Sequence, residues 1–377
     1  MPIEFYSPVS GGAIATVIMQ TARSLIASGH HVSVLTTLDG NPTYPFGNIV
    51  PIEHRVAANL KAVQRLLSRV TGKLKGFDWP CFDLYLRSFI GALRRLDRLP
   101  DVVVLFNDLA SSEYVKRALP RAKVLVWLHN ECRTRHNIQR TIAATDIFVA
   151  NSDYIRDWTV SSLGVPSRGF VVAHNGVDLG TFRPREDYRM HRDPMQVLFV
   201  GRIDPNKGPD IAADAVAALR REGQPLSLTV AGGLWFYGDV DPMTDPYFRL
   251  LRLKMDAAEA RYLGHVDRHA LPEVVRQHDV VCVLSRTNEP FGLVVLEAMA
   301  SGCAVIASRR GGLPEACGQA AMLVDERDFT SVIGALRALV MDRRRLEECK
   351  EQSVARAARL PWSECARIVE AAALLPR

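Results

Sequence analysis

Val197-Leu198-Phe199-Val200-Gly201-Arg202-Ile203-Asp204-Pro205-Asn206-Lys207-Gly208-Pro209-Asp210 is the stretch from which the fold can be read. Four apolar residues in a row suit a strand buried on both faces, as in a parallel sheet. A polar loop with a glycine at each end follows, and Pro209-Asp210 opens a helical pattern that runs to Arg221. Gly223 ends that helix, and Leu226–Ala231 reads as the next strand. Strand, glycine loop, helix and strand is the unit of parallel α/β layers.

The same order is present near the N-terminus. Ile3–Ser7 reads as a strand, Pro8-Val9-Ser10-Gly11-Gly12 as a turn, and Ile14, Val17, Ile18, Ala22, Leu25 and Ile26 line one face of a helix ended by Gly29. Further strands are expected at Val32–Leu35, Val102–Phe106, Val124–Leu128, Ile147–Ala150 and Val171–Ala173. Thr181–Pro194 is polar, holds Pro184 and Pro194 and has no periodic apolar face, so it reads as a linker. The 377 residues therefore divide into two similar α/β domains, 1–180 and 195–360. Sheets of this kind hold ligands at the carboxyl ends of their strands, and two facing domains enclose a cleft.

Composition narrows the class. A hydrophobic fraction of 48%, a charged fraction of 23% and a mean hydropathy of +0.01 describe a globular chain and exclude a disordered or fibrous one. No apolar run approaches the ~18–20 residues of a bilayer-spanning helix. Met1-Pro2-Ile3-Glu4 lacks the basic and apolar regions of an export signal. Seven cysteines without a CxxC pair fit neither a disulfide frame nor a zinc site, and point to a reducing cytoplasm.

The net charge of +6 is unevenly spread. Between Arg55 and Pro100, ten cations face three anions, and Val63, Leu66, Leu67, Val70 and Leu74 recur near helical spacing. A basic amphipathic helix at an anionic membrane surface and a plain solvated helix face both fit this pattern. Nucleic acid is not expected, because no binding module accompanies the charge.

The segment richest in chemistry is Ser285-Arg286-Thr287-Asn288-Glu289-Pro290-Phe291-Gly292-Leu293, followed by Glu297 and closed by Gly302. A helix opening near Gly292 offers unpaired backbone N–H groups and a partial positive charge, a seat for phosphate. Glu289 precedes that seat, and Glu297 lies roughly 7–8 Å further along the helix. Two carboxylates bracketing an anion site suit the hydroxyls on either side of a diphosphate, as in a sugar nucleotide; alone, such a pair is ordinary surface charge. Arg202 offers a planar fork and Lys207 a mobile point charge, both suited to a diphosphate, although a solvated basic loop has the same composition. Gly11-Gly12 allows close backbone approach in the first half. Neither glycine loop has GxGxxG spacing, which disfavours a dinucleotide-dependent dehydrogenase.

Glu289 and Glu297 around Pro290-Phe291-Gly292, Gly201-Arg202 with Lys207-Gly208, Gly11-Gly12 before a helix ending in Gly29-His30-His31-Val32, Asn151-Ser152, and His174-Asn175-Gly176-Val177-Asp178 together resemble family 4 of the retaining glycosyltransferases. The likeness covers nearly the whole chain in order. It implies a GT-B fold of two Rossmann-like domains, a nucleotide-sugar donor held mainly by the second, an acceptor held mainly by the first, and a last helix, 362–375, crossing back onto the first. By position it implies that Glu289 binds donor-sugar hydroxyls and Glu297 the ribose. Arg202 and Lys207 would bind the diphosphate, and Gly292 with Leu293 the phosphates. The base is expected near Val266, and Gly11, Gly12, Pro290 and Phe291 are expected among the donor-binding residues. His129, after the strand Val124–Leu128, resembles the family's active-site histidine, so His129 and Glu289 are the expected catalytic residues.

The expected reaction is retaining transfer of a hexose-type sugar from a UDP- or GDP-sugar to a glycan or lipid-linked acceptor in envelope polysaccharide or glycoconjugate synthesis. Fixed cations and a helix N-terminus aimed at the departing diphosphate lower the barrier. No metal cofactor is expected: Asp239-Val240-Asp241 has the form of a metal-binding DxD site, but Arg202 and Lys207 already supply the charge. A nucleotide-sugar 2-epimerase of the same architecture and a non-catalytic nucleotide-sugar-binding module are the alternatives. The expected setting is cytoplasmic, with peripheral contact at the inner face of the membrane through residues 55–100.

Overall fold

The structure is a computed structural model that describes residues 5–8, 12–52, 79–132, 138–190, 192–234 and 242–375, with side chains between 79 and 84 excepted. Gly11, the apolar positions Val63–Leu74, the aromatics Trp235–Tyr237 and the Asp239–Asp241 pair lie outside them.

The chain forms two compact units. The first comprises Met1–Val149, Thr159–Val171 and Arg367–Arg377; the second comprises Ala150–Trp158 and Val172–Ala366. The first holds a parallel pair, β1 (Ser33–Thr36) and β2 (Asn48–Pro51), and a four-stranded sheet in the order β3 (Val102–Phe106), β4 (Lys123–Leu128), β5 (Ile147–Ala150) and β6 (Phe170–Val172). Strand β4 is buried from Val124 to Leu128, as its unbroken apolar run requires. Phe5–Ser7 does not extend as a strand. Tyr6 donates to Thr36 Oγ1 and accepts from Tyr44 N–H, single contacts in place of a ladder, while Ser7 N–H turns back to Phe5 O. The last helix, Trp362–Leu374, enters this unit at Arg367, where Glu370 meets His30 at 2.6 Å and Lys123 Nζ donates to Ala373 O at 2.6 Å.

The second unit is built on a six-stranded sheet. Its strands are β7 (Met195–Val200), β8 (Leu226–Ala231), β9 (Arg261–Gly264), β10 (Val280–Val283), β11 (Ala304–Ser308) and β12 (Ala321–Val324), in the order β12-β11-β10-β7-β8-β9 and parallel throughout. The period-two alternation of strands divides its side chains between two cores. Val197, Phe199, Leu228 and Cys282 face helices Pro209–Arg221, Pro246–Ala257 and Phe329–Met341, and Leu198, Val281, Val305 and Ala307 face helix Leu293–Ala300. Thr181–Pro194 is fastened to this unit: Phe182 lies in its core and Tyr188 O accepts from the buried Lys350 ammonium at 2.9 Å.

Strand order reverses between β7 and β10, the point at which a doubly wound sheet opens to receive a ligand. The loops leaving these two adjacent strands are the Gly201–Gly208 and Leu284–Gly292 segments.

Candidate active site

The loop after β7 ends in a 3₁₀ turn, Pro205–Lys207. Asp204 caps it through Asn206 N–H at 2.8 Å and also pairs with Arg202 at 2.9 Å. Gly208 then adopts φ 72°, and a Cβ there would lie 2.2 Å from Leu284 O, so only glycine lets this turn sit against the loop after β10. That approach brings Lys207 Nζ to 2.5 Å from Glu289 Oε1, and Ser285 Oγ donates to the same oxygen at 2.6 Å. A carboxylate holding a lysine and a hydroxyl is ordered before any substrate arrives.

Helix Leu293–Ala300 begins at Gly292, whose φ of 97° brings no capping side chain, so the first-turn N–H groups have no side-chain acceptor at Gly292. One turn further in, Glu297 is 5% exposed, a burial that requires a partner. Arg268 Nη2 supplies it at 2.6 Å, from the loop after β9 that also carries Val266. Val266 lines a cavity of about 540 Å³ with Leu263, His265, Asp267 and His278; Arg202, Lys207, Glu289 and Glu297 do not line it.

Pro290 and Phe291 hold the loop in place. Ser152 Oγ donates to Pro290 O at 2.7 Å, and the Phe291 ring, 1% exposed, stacks on His174 at 5.3 Å between centroids. His174 Nε2 in turn lies 3.3 Å from Glu315, whose two carboxylate oxygens accept from Asp153 and Tyr154 N–H at 2.6 and 2.8 Å. Burial pushes the Glu315 carboxyl up, but the His174 and backbone hydrogen bonds outweigh it and hold it below the usual range. Asp153, His174 and Glu315 bring three potential metal-ligand atoms within 4.8 Å of one another. All three already have protein partners, Asp153 through Arg156.

His129 belongs to the first unit, at the carboxyl end of β4. Its backbone N–H donates to Asn107 Oδ1 at 2.7 Å, and its ring packs against Phe106 and Trp127. It is 4% exposed, and burial pushes the imidazole down to about 3, so it is neutral at physiological pH. Nε2 is buried and has no hydrogen-bond partner among the described residues. Gly12, also in this unit, precedes helix Ala13–Ala27 as its cap residue.

Several participants were not singled out from the sequence. Arg268, Ser285 and Glu315 carry no local signal. Gly311-Gly312, after strand β11, repeats the glycine-loop pattern of the earlier strand ends. Gly311 has φ 54° and a Cβ there would lie 2.3 Å from Glu289 O, while Gly312 N–H donates to that carbonyl at 2.7 Å.

Known proteins match along both halves. The model for Glycosyltransferase Family 4 matches residues 11–181, and that for Glycosyl transferases group 1 matches residues 183–356. The chain belongs to this family of glycosyltransferases, and its two parallel α/β units are those of the GT-B fold. D-inositol 3-phosphate glycosyltransferase 2 of Catenulispora acidiphila is 34% identical over 60% of this chain and 55% of its own length, so the chain spans little more than half of that relative. Sucrose-phosphate synthase of Thermosynechococcus elongatus superposes with a TM-score of 0.71 at 20% identity over 98% of this chain and 94% of that one. Anabaena Alr3699/HepE in complex with UDP and glucose gives 0.69 at 16% identity over 99% and 98%.

Proposed function

We propose that this protein transfers a hexose-type sugar, with retention and without a metal, from a UDP- or GDP-sugar to a glycan or lipid-linked acceptor. The observation that carries the reading is the meeting of Lys207 with Glu289 at the switch point of the second sheet, beside the uncapped start of helix Leu293–Ala300. Lys207, Arg202 and the N–H groups at Gly292 and Leu293 take the diphosphate, whose negative charge grows as the anomeric carbon–oxygen bond breaks. Glu289 accepts from donor-sugar hydroxyls and Glu297, held by Arg268, from the ribose. His129, neutral and with its buried Nε2 unpartnered, addresses a sugar hydroxyl. The leaving phosphate takes the acceptor proton on the same face.

UDP in the HepE complex supports a uridine donor, and the name of the Catenulispora relative supports a phosphorylated cyclitol as a second acceptor class. Contact with an anionic membrane through 55–100 and a cytoplasmic setting belong to the same reading. No helix among the described residues is long and apolar enough to cross a membrane, and the six described cysteines are free.

Incubation with UDP- and GDP-sugars, with and without glycan, lipid-linked and inositol phosphate acceptors, tests the reading. A new glycoside of unchanged anomeric configuration by NMR supports it. Sugar turnover without acceptor would mark an epimerase, and binding without turnover a non-catalytic module.

A further inference from the structure

The loop after β10 contains an ion pair that the proposed reaction does not use. Arg286 follows Ser285, which holds Glu289, and its guanidinium grips Asp210 end-on: Nη1 donates to Oδ1 at 2.8 Å and Nη2 to Oδ2 at 2.6 Å. Tyr247 reaches the same carboxylate, its hydroxyl donating to Oδ1 at 2.8 Å. Asp210 lies in the first turn of helix Pro209–Arg221, and its side chain is 13% exposed beside an Arg286 side chain that is 37% exposed. Burial pushes its carboxyl up, but the hydrogen bonds from Arg286 and Tyr247 outweigh that and keep it charged.

Arg286 also touches the turn that carries Lys207. Its Nη1 donates to Pro205 O, and its backbone N–H donates to Asn206 O at 2.8 Å. The two carbonyls immediately before Lys207 are therefore held by one residue, placed three positions before Glu289. The turn itself is a single 3₁₀ turn of three residues, joined through Gly208 to the start of helix Pro209–Arg221, where Asp210 lies. A lysine on a four-carbon stem needs its backbone fixed if its charge is to meet a diphosphate, since a misplacement of ~1 Å can cost about 10²-fold. Only a planar fork reaches both oxygens of Asp210 while also donating to a carbonyl.

We propose that Asp210, Arg286 and Tyr247 form a brace that positions the Lys207 ammonium against the donor diphosphate, acting through the turn and not on the donor. They are positioning residues, and the inference rests on the reading of Lys207 as a diphosphate ligand.

The test measures donor kcat and KM for the full chain and for Lys207→Ala, Arg286→Lys and the double variant Lys207→Ala/Arg286→Lys. Arg286→Lys keeps the charge and removes the fork. In the otherwise natural chain it is expected to lower kcat/KM about tenfold, and in the Lys207→Ala background less than twofold, because no ammonium remains to be positioned. A defect of folding alone would cost the same factor in both backgrounds. Asp210→Asn, made in both backgrounds, is expected to show the same dependence and decides the matter if Arg286→Lys does not fold. Equal losses in both backgrounds, or no loss, overturn the brace and leave the role of Lys207 standing. A Lys207→Ala variant with kcat/KM intact overturns both.

Discussion

Lys207 Nζ and Glu289 Oε1 lie 2.5 Å apart although 82 residues separate them in sequence. This pair sets two demands against each other. On the proposed reading, Glu289 neutralises the cation that the diphosphate requires, yet supplies the acceptor that the sugar requires. Removing the carboxylate charge should therefore separate the two effects. Glu289→Gln is expected to bind the nucleoside diphosphate at least as tightly as the natural chain, while the transfer rate falls roughly 10²–10³-fold, the scale of one lost transition-state group. Calorimetry with UDP and GDP beside initial rates distinguishes these outcomes. Equal losses in binding and rate would show that Glu289 serves only to hold Lys207.

Gly312 N–H ties the loop after β11 to the Glu289 carbonyl, and Gly311 lets the loop come that close. With φ 54° and a Cβ contact of 2.3 Å awaiting any larger residue, Gly311→Ala must either strain this turn or displace Glu289. A fall in transfer rate of about tenfold or more is expected, with a melting temperature lowered by a few degrees. Unchanged kinetics would mean that the loop absorbs the methyl group without moving Glu289.

His129 makes stability depend on pH. An unfolded histidine takes its proton near 6.5, whereas burial delays protonation of the folded imidazole to about 3. Between these values the unfolded state binds more protons, so the contribution is complete above pH 6.5 and is lost as pH falls towards 3. His129→Asn removes this linkage. Its melting temperature is expected to fall less steeply than that of the natural chain between about pH 6 and 4. Parallel slopes would show that the imidazole is solvated.

Lys350 and Asp279 form an ion pair with each residue 1% exposed, at 2.7 Å, and Asp279 also accepts from Gln196 N–H at 2.9 Å. It joins helix Arg343–Ala358 to the amino ends of β7 and β10, the two strands that carry the site. Lys350→Met leaves a buried carboxylate without its cation and is expected to cost about 3–5 kcal/mol in denaturant unfolding. Adding Asp279→Asn should recover part of that loss; additive losses would show that the two residues act separately.

Much of this was legible because it is local. The run Val197–Val200, the glycine at 208 and the acidic residues around Gly292 obey short-range rules of strand burial and turn geometry, and the elements stand where those rules put them. Partners drawn from distant parts of the chain were not legible. Arg268 meets Glu297 across 29 positions and Glu315 reaches Asp153 N–H across 162, and no periodicity encodes such distances. Ile3–Ser7 has the composition of a strand, but Tyr6 finds single contacts at Thr36 and Tyr44 in place of a neighbouring ladder. Thr181–Pro194 lacks apolar periodicity and so reads as a linker, yet a buried phenylalanine and hydrogen bonds to residues far along the chain, such as Lys350 and Arg276, fasten it.

Titration calorimetry of the full chain and of Lys207→Ala with UDP, GDP and their sugars tests the central claim most directly. One nucleotide series is expected to bind the natural chain, with affinity weakened about tenfold or more by Lys207→Ala, as for the loss of a charged hydrogen bond. A natural chain that binds neither series, or a variant that binds as tightly as its parent, would contradict the account.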